Sequence, residues 1–452
     1  MHRAMSGSEG ISSFTHQTLP PRRDSVNMER GADDRNATRG ACPPFRCSSP
    51  FQWSYRANRF RVSLMPTTRN ARRPEHPRFG RTMLMAVLGA FVTACDGTDA
   101  PSAPRPGTPT VANLKATAQV GAVSVYYAGL NSPRGLRFGP DGDLYVAEGG
   151  FGGSTSTVGQ CEQVPGPIGP YLGSPTGSRI SRITPNGVRS TVADNLPSSQ
   201  TQPAPAPLVS GVADVEFIGG TLYGLMTGAG CSHGVPSVPN QVFRVNGDGS
   251  TTMVANLSAW YMAHPTAVTE EDDVEPDGTP FSMVAVRGDL YVVEPNHGSL
   301  ERVGTDGSIE RVVDISASQG HSVPTTVSYH GNFFIGNLNT FPVVPGSSRI
   351  LKVTPSGQVQ TWISGVTAVL GSAWDARGRL YVLESMTAPG APTPPTGRVR
   401  RFDPSGASTT IIDGLFFPTG LTIGPDGNLY ISNFGFGPPP VGLGEILKVE
   451  LN

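Results

Sequence analysis

From residue 116 onward the chain alternates short apolar runs with Gly/Pro turns, and no stretch carries the apolar spacing of an amphipathic helix. The clearest unit is Gly-Pro-Asp-Gly-Asp-Leu-Tyr-Val-Ala-Glu at 139–148, which returns near the other end as Gly-Pro-Asp-Gly-Asn-Leu-Tyr-Ile-Ser-Asn at 424–433. Pro presets φ and Gly accepts a positive φ without steric cost, so Pro-Asp-Gly marks a tight turn. Leu136 and Phe138 before it, with Leu144, Tyr145 and Val146 after it, read as two strands of a hairpin. Aligning the chain on the Leu-Tyr pair gives six such hairpins, with Tyr145, Tyr223, Tyr291, Phe334, Tyr381 and Tyr430 in equivalent places. The last four lie 43, 47 and 49 residues apart, the length of one four-stranded propeller blade. The first two intervals, 78 and 68 residues, place insertions in the first three blades.

Each hairpin is followed by a third strand with a basic residue between apolar ones: Arg182, Arg244, Arg302, Lys352, Arg401 and Lys448. In five repeats a Gly turn and a fourth strand follow. The sixth ends at Asn452 with no fourth strand, whereas 122–130 looks like a fourth strand preceding the first hairpin. The fold expected is therefore all-β: a six-bladed β-propeller over 116–452, closed by the N-terminal strand 123–128, which completes the last blade and removes exposed edges. The repeated Leu, Tyr and Val positions are expected between blades, and the repeated Arg or Lys at a solvated blade edge.

The formal charge of −1 hides a split: residues 1–95 hold 15 Arg, no Lys and 6 acidic residues, a net of +9, and the rest carries −10. An acidic body argues against nucleic acid as a partner. Residues 1–64 lack periodicity and read as disordered, upstream of a true start at Met65 or Met83. From Met65 a basic run precedes a short apolar core, Met83 to Phe91, too short to span a bilayer, ending in Val92-Thr93-Ala94-Cys95. That order over 65–95 is similar to a bacterial lipoprotein signal peptide, with Cys95 as the lipidated residue and 96–115 as a tether. The address expected is the cell envelope, as an exported monomer that meets the membrane only through its lipid anchor, or as a secreted protein.

The opening Ser132-Pro-Arg-Gly-Leu-Arg-Phe-Gly-Pro-Asp-Gly-Asp-Leu-Tyr-Val-Ala-Glu148 resembles the ScyD/ScyE family. So do the Gly166-Pro167 and Ser174-Pro-Thr-Gly177 loop, Asp289-Leu-Tyr-Val-Val-Glu294, and Phe341-Pro342 with Pro345-Gly346 and Arg349-Ile-Leu-Lys-Val353. The resemblance covers about residues 120–450. It implies a secreted NHL/strictosidine-synthase-like propeller, and it implies fold and export more than a reaction.

Three sets of residues bear on chemistry. Strand two of each blade closes on Glu148, Met226, Glu294, Asn337, Glu384 and Asn433. The five carboxylates and amides are either oxygen ligands for Ca²⁺ or another divalent cation, or caps of their own following loops. Asp273, Glu275 and Asp277 resemble the first half of a Ca²⁺ loop, but Val284 stands where a bidentate Glu is needed; the alternative is a solvated acidic loop. Cys161 and Cys231 fall in neighbouring insertions and are candidates for a disulfide. Gluconolactonase-like propellers place a metal on the axis with an acidic ligand. The corresponding places here look like Asn131 or Ser132, Arg134, Thr325 and Thr419, with Asp214 and Glu216 the acidic groups nearest in sequence. His264 and His321 are further residues that could face the axis. The leading function is a binding module whose ligand or partner sits on the insertion-bearing face, at loops 149–178, 195–210, 226–240 and 258–280. The alternatives are a divalent-metal-dependent lactonase or related hydrolase, and a structural envelope protein.

Overall fold

Each apolar run between turns forms a strand, and consecutive strands pair antiparallel into six separate sheets. The structure, a computed structural model, describes Val111 and residues 114–118, 120–166, 168–201, 208–270, 275–435 and 442–452. Segments 1–64 and 65–95, including Cys95, lie outside the described residues, as do Asp273 and most of the expected tether.

The first strands of the six blades are Pro133–Phe138, Val212–Ile218, Ser282–Val286, Pro324–Tyr329, Val369–Trp374 and Gly420–Ile423. Each touches the first strand of the next blade, and the sixth touches the first, so they ring a common axis. The second strands, among them Leu144–Glu148 and Leu429–Asn433, lie one place outward. Closure follows the expected route: Val120–Leu130 pairs with Gly444–Leu451, placing Ser124 opposite Lys448 and Val125 opposite Leu447. The chain is a six-bladed β-propeller.

The core is divided as a propeller requires, with an apolar cluster in each of the six gaps between blades. Leu136, Leu144, Tyr430 and Ile446 meet at the seam where the last blade packs on the first. Gly420 lets that seam close, because a Cβ there would meet the Arg134 carbonyl oxygen at 2.6 Å. Hydrogen bonds sew the same seam, from Thr419 Oγ1 to the Pro133 carbonyl and from Ser432 Oγ to the Arg134 carbonyl, both 2.6 Å.

Three features differ from the reading of the sequence. The first-blade insertion is not all loop: its third and fourth strands run on as Leu172–Ile183 and Arg189–Gln200, a long ribbon edged by Val209–Ser210. Ser174-Pro-Thr-Gly177 reads as a loop signal, yet the ribbon absorbs Pro175 and Gly177 where its register shifts between Ser174 and Ser178. Lys115–Ala116 pairs with Ile412 and Asp413 on the outer edge of the fifth blade, so the last residue of the expected tether is in a strand. Two short helices, Leu257–Ala263 and Ser316–Gln319, follow the outer strands of the second and third blades, the first capped by the Asn256 side chain accepting from Ala259 N–H.

Candidate functional site

The inner strands leave a narrow axial channel of about 50 Å³, lined from all six blades by residues such as Arg137, Asp214, Met283, Val327, Leu370 and Thr419. On the insertion-bearing face, sharing Phe281 as a wall, lies a cavity of about 310 Å³. The walls come from the segments that lead into first strands, such as Ser210, Thr279 and Val323, and from those that leave second strands, such as Thr227, Asn296 and Leu338. The first-blade insertion adds Ile168 and Tyr171. Arg134, the second residue of the first inner strand, sits between channel and mouth and is 2% exposed.

Arg134 Nη2 donates to Ser210 Oγ at 3.3 Å, and its guanidinium carbon lies 5.3 Å over the Phe281 ring. Burial lowers its pKa to about 10, with the Tyr171 phenol opposing the shift, so the group stays charged at neutral pH. Glu275 is the lone carboxylate among the described residues of the wall. Its Oε1 accepts from Tyr171 O–H at 3.0 Å, and its Oε2 lies 3.6 Å from His233 Nε2. The Tyr171 and His233 rings stack with centroids 4.6 Å apart. Burial takes the imidazole pKa down to about 4 despite nearby Asp277, so His233 is neutral at physiological pH.

This packing corrects the picture of a solvated acidic loop. Glu275 and Asp277 are buried, 5% and 7% exposed. Asp277 Oδ2 accepts from Ser232 N–H at 2.7 Å, and Asn296 Oδ1 accepts from Glu275 N–H at 2.8 Å. Here the two acids peg the third blade's lead-in to the second blade's insertion. That insertion is tied in turn to the first: Cys161 and Cys231 are disulfide-bonded with Cα atoms 6.2 Å apart, and Thr157 Oγ1 donates to the Cys231 carbonyl.

The residues that close the second strands do a different job from gathering ions. Glu148 accepts from Asn131 N–H at 2.7 Å, Glu294 from Thr279 N–H at 2.8 Å, Glu384 from Thr367 N–H at 2.7 Å and Asn433 Oδ1 from Phe416 N–H at 2.8 Å. Asn337 makes the same link with reversed polarity, its Nδ2 donating to the Ser322 carbonyl at 2.8 Å. Each side chain thus clamps the segment leading into its own blade's inner strand, rather than only the loop that follows it. The carboxylates carry further partners: Arg179 at 3.0 Å and Arg189 at 2.8 Å on Glu148, Arg398 at 2.6 Å on Glu384, and His297 at 3.3 Å on Glu294. Among the described residues no group of three or more His, Cys, Asp or Glu is arranged to hold a metal ion. Asp214 and Glu216 lie on the second inner strand, Asp214 accepting from Met283 N–H at 2.9 Å and Glu216 paired with Arg137 at 2.6 Å. His264 stacks on Trp260, and neither it nor His321 is among the described residues of the cavity wall.

Arg134 and Thr325, named as places corresponding to an axial metal site, do line the mouth. Tyr171, Phe281, Asn296 and His233 carried no motif. A positional rule would have found Phe281 and Asn296, since segments flanking first and second strands at one end of a propeller converge on its axis.

No family model matches this chain, and neither does any curated protein. Solved structures similar to it include a streptogramin B lyase, at 14% identity over 73% of this chain and 98% of that one, TM-score 0.42. A gluconolactonase from Xanthomonas campestris aligns at 11% identity over 73% and 89%, TM-score 0.43. A glucose dehydrogenase aligns at 13% identity over 74% and 100%, TM-score 0.44. Their named activities differ from one another, and the six-blade assignment rests on the sheets described above.

Proposed function

We propose that the protein is an exported six-bladed propeller of the ScyD/ScyE type, anchored through Cys95, that binds a small molecule in the mouth of its axial channel. The observation that carries this reading is the 310 Å³ cavity, set off-axis over the first four blades. Pockets of this kind, mostly apolar with a few convergent polar groups, are the usual form of a small-molecule site. A second, rim depression of about 460 Å³ around Phe151, Thr176, Arg179 and Asp194 lies on the first blade alone. The axial mouth is favoured because several blades build it and a disulfide braces the two insertions beside it.

A divalent cation such as Ca²⁺ on the axis, as a gluconolactonase-like hydrolase would need, does not fit the residues present. A hard cation takes several carboxylate and carbonyl oxygens. Among the described residues the mouth offers one carboxylate, Glu275, already engaged by Tyr171, and it holds the cationic Arg134. No hydrolytic step is therefore assigned.

The test is a thermal-shift screen of small molecules against residues 96–452 and against Thr340→Trp. Thr340 is an exposed residue of the wall, so a large side chain there obstructs the mouth without disturbing the core. Compounds that stabilise the wild type are expected to lose their effect on the variant. Equal stabilisation of both proteins would place binding elsewhere.

A further inference from the structure

The rim depression of about 460 Å³ on the first blade is a second concave site, bounded among the described residues by Phe151, Thr176, Arg179, Asp194 and Asn195. We propose that it binds a neutral sugar unit of a glycan, the C–H face of the sugar on the Phe151 ring and two adjacent hydroxyls on the Asp194 and Asn195 side chains. This site is separate from the axial mouth and does not depend on what the mouth binds.

The depression is made by two interruptions in the pairing of the first blade's third and fourth strands. Ser174 pairs with Ser198 and Ser178 with Leu196, so the three residues 175–177 stand against Pro197 alone. Ile180 then pairs with Ala193, so Asp194 and Asn195 stand together against Arg179. Bulges of this kind bend a strand and re-aim its side chains. The second one recurs in other blades. In the fourth, Ser348 pairs with Val366 and Arg349 with Ser364, and the extra residue is Gly365. In the fifth, Gly397 pairs with Leu415 and Arg398 with Asp413, and the extra residue is Gly414. Those glycines have φ of 76° and 87°, and Asn195 occupies the same place at 56°. Glycine takes that conformation without steric cost, and Asn is one of the few side-chain-bearing residues that tolerate it. The bulge itself therefore needs no side chain, and the first blade adds a carboxamide to it. The Asn195 backbone N–H donates to Asp194 Oδ1 at 2.8 Å, but among the described residues nothing engages its carboxamide.

The ring and the charges narrow the ligand class. Phe151 belongs to the first-blade insertion and is 45% exposed, an aromatic face held at the surface rather than in a core. It lies beside Gly177, where an added Cβ would come 3.8 Å from the ring, so no side chain covers that flank. Ser174 and Thr176 add hydroxyls to the same lining. A sugar hydroxyl both donates and accepts, which suits a carboxylate that accepts beside a carboxamide that does both. Arg179 is already matched to Glu148, donating from Nε at 3.0 Å and from Nη2 at 3.4 Å. Asp194 is exposed and in no ion pair among the described residues, so the depression presents a negative charge. That charge repels acidic sugars and phosphates and favours a neutral unit. The volume falls within the roughly 300–1,000 Å³ usual for small-ligand sites, and the exposed lining admits a unit that belongs to a longer chain.

The experiment titrates maltotriose, cellotriose, laminaritriose and mannotriose, with trigalacturonate as the acidic counterpart, by saturation-transfer NMR. The proteins are the wild type, Phe151→Ala, Asn195→Gly and Thr340→Trp. At least one neutral trisaccharide is expected to bind the wild type about tenfold or more tighter than trigalacturonate. Phe151→Ala and Asn195→Gly should each weaken it about tenfold, roughly the loss of one ring contact or one pair of hydrogen bonds. Asn195→Gly installs the residue that the fourth and fifth blades carry, so the bulge is kept, and an unchanged urea midpoint would separate lost binding from lost folding. Thr340→Trp should leave sugar binding unchanged. No binding of any neutral trisaccharide, equal binding of trigalacturonate, or binding that Asn195→Gly leaves undiminished would each overturn the proposal. Sugar binding lost in Thr340→Trp but kept in Asn195→Gly would overturn the rim site while leaving the mouth as a ligand site.

Discussion

At the scale of single residues, the mouth and channel show how burial retunes a side chain. In the unfolded chain Asp214 has the ordinary carboxylate pKa of 3.8; folded, burial raises it to about 7, with Arg137 and Met283 N–H pulling the other way. Below the unfolded value both states hold the proton and the folded state suffers no penalty. Between the two values only the folded state holds it, so this group's contribution to stability falls as pH rises and levels off once the folded pKa is passed. Asp214→Asn, which can still accept from Met283 N–H, should therefore gain stability relative to wild type as pH rises through that window. Urea midpoints measured from about pH 4 to pH 8 check it, and parallel wild-type and variant curves would contradict it. Single residues were also the scale at which the sequence was least legible. Arg134 stood out only because it falls where gluconolactonase-like propellers place an axial metal ligand. Glu275 and Asp277 sit beside a run of acids and read as solvated, because nothing local announces that a Tyr 104 positions earlier in the chain and a His from the second blade will enclose Glu275.

At the scale of elements, two repeats that the sequence presents separately are one device. The aromatic of strand two faces the basic residue of strand three in every blade: Tyr145 with Arg182, Tyr223 with Arg244, Tyr291 with Arg302, Phe334 with Lys352, Tyr381 with Arg401 and Tyr430 with Lys448. The basic residues are not simply solvated. Arg182 meets Asp141 at 3.2 Å and Lys448 meets Asp426 at 2.8 Å, both acids of the Pro-Asp-Gly turns. The phenols close the same turns, Tyr145 on Asp141 and Tyr430 on Asp426, each at 2.9 Å. Burial would raise the Asp426 pKa, but bonds from Lys448, Asn428 and Tyr430 bring it down to about 2. Tyr430→Phe keeps the ring packed on Tyr126 and Phe138 and loses only the hydroxyl. It should cost about 1 kcal/mol, read from chemical denaturation. No measurable loss would mean that the turn does not depend on the phenol. Strand positions and blade length were legible because turn chemistry and two-residue alternation are local. The long first-blade ribbon was not, because its pairing runs through Pro and Gly that locally signal a loop.

At the scale of the whole molecule, the account depends on how the ring is closed. Six repeats with one strand missing at the end and one spare at the start have a single economical solution, and for that reason the architecture could be read before any coordinates. The location of the mouth is a consequence: with the last blade completed by the N-terminal strand, the first blade packs on it and Arg134 is carried to the axis. Ser124 and Lys448 are opposed across the closing strands. The most direct measurement introduces Ser124→Cys and Lys448→Cys together, oxidises dilute protein and maps the linkage by non-reducing peptide mass spectrometry. The account predicts an intramolecular bridge between the two new thiols in a folded monomer. Thiols that stay free, or that join only between molecules, would show that the strand lies elsewhere and that the axial site is wrongly built.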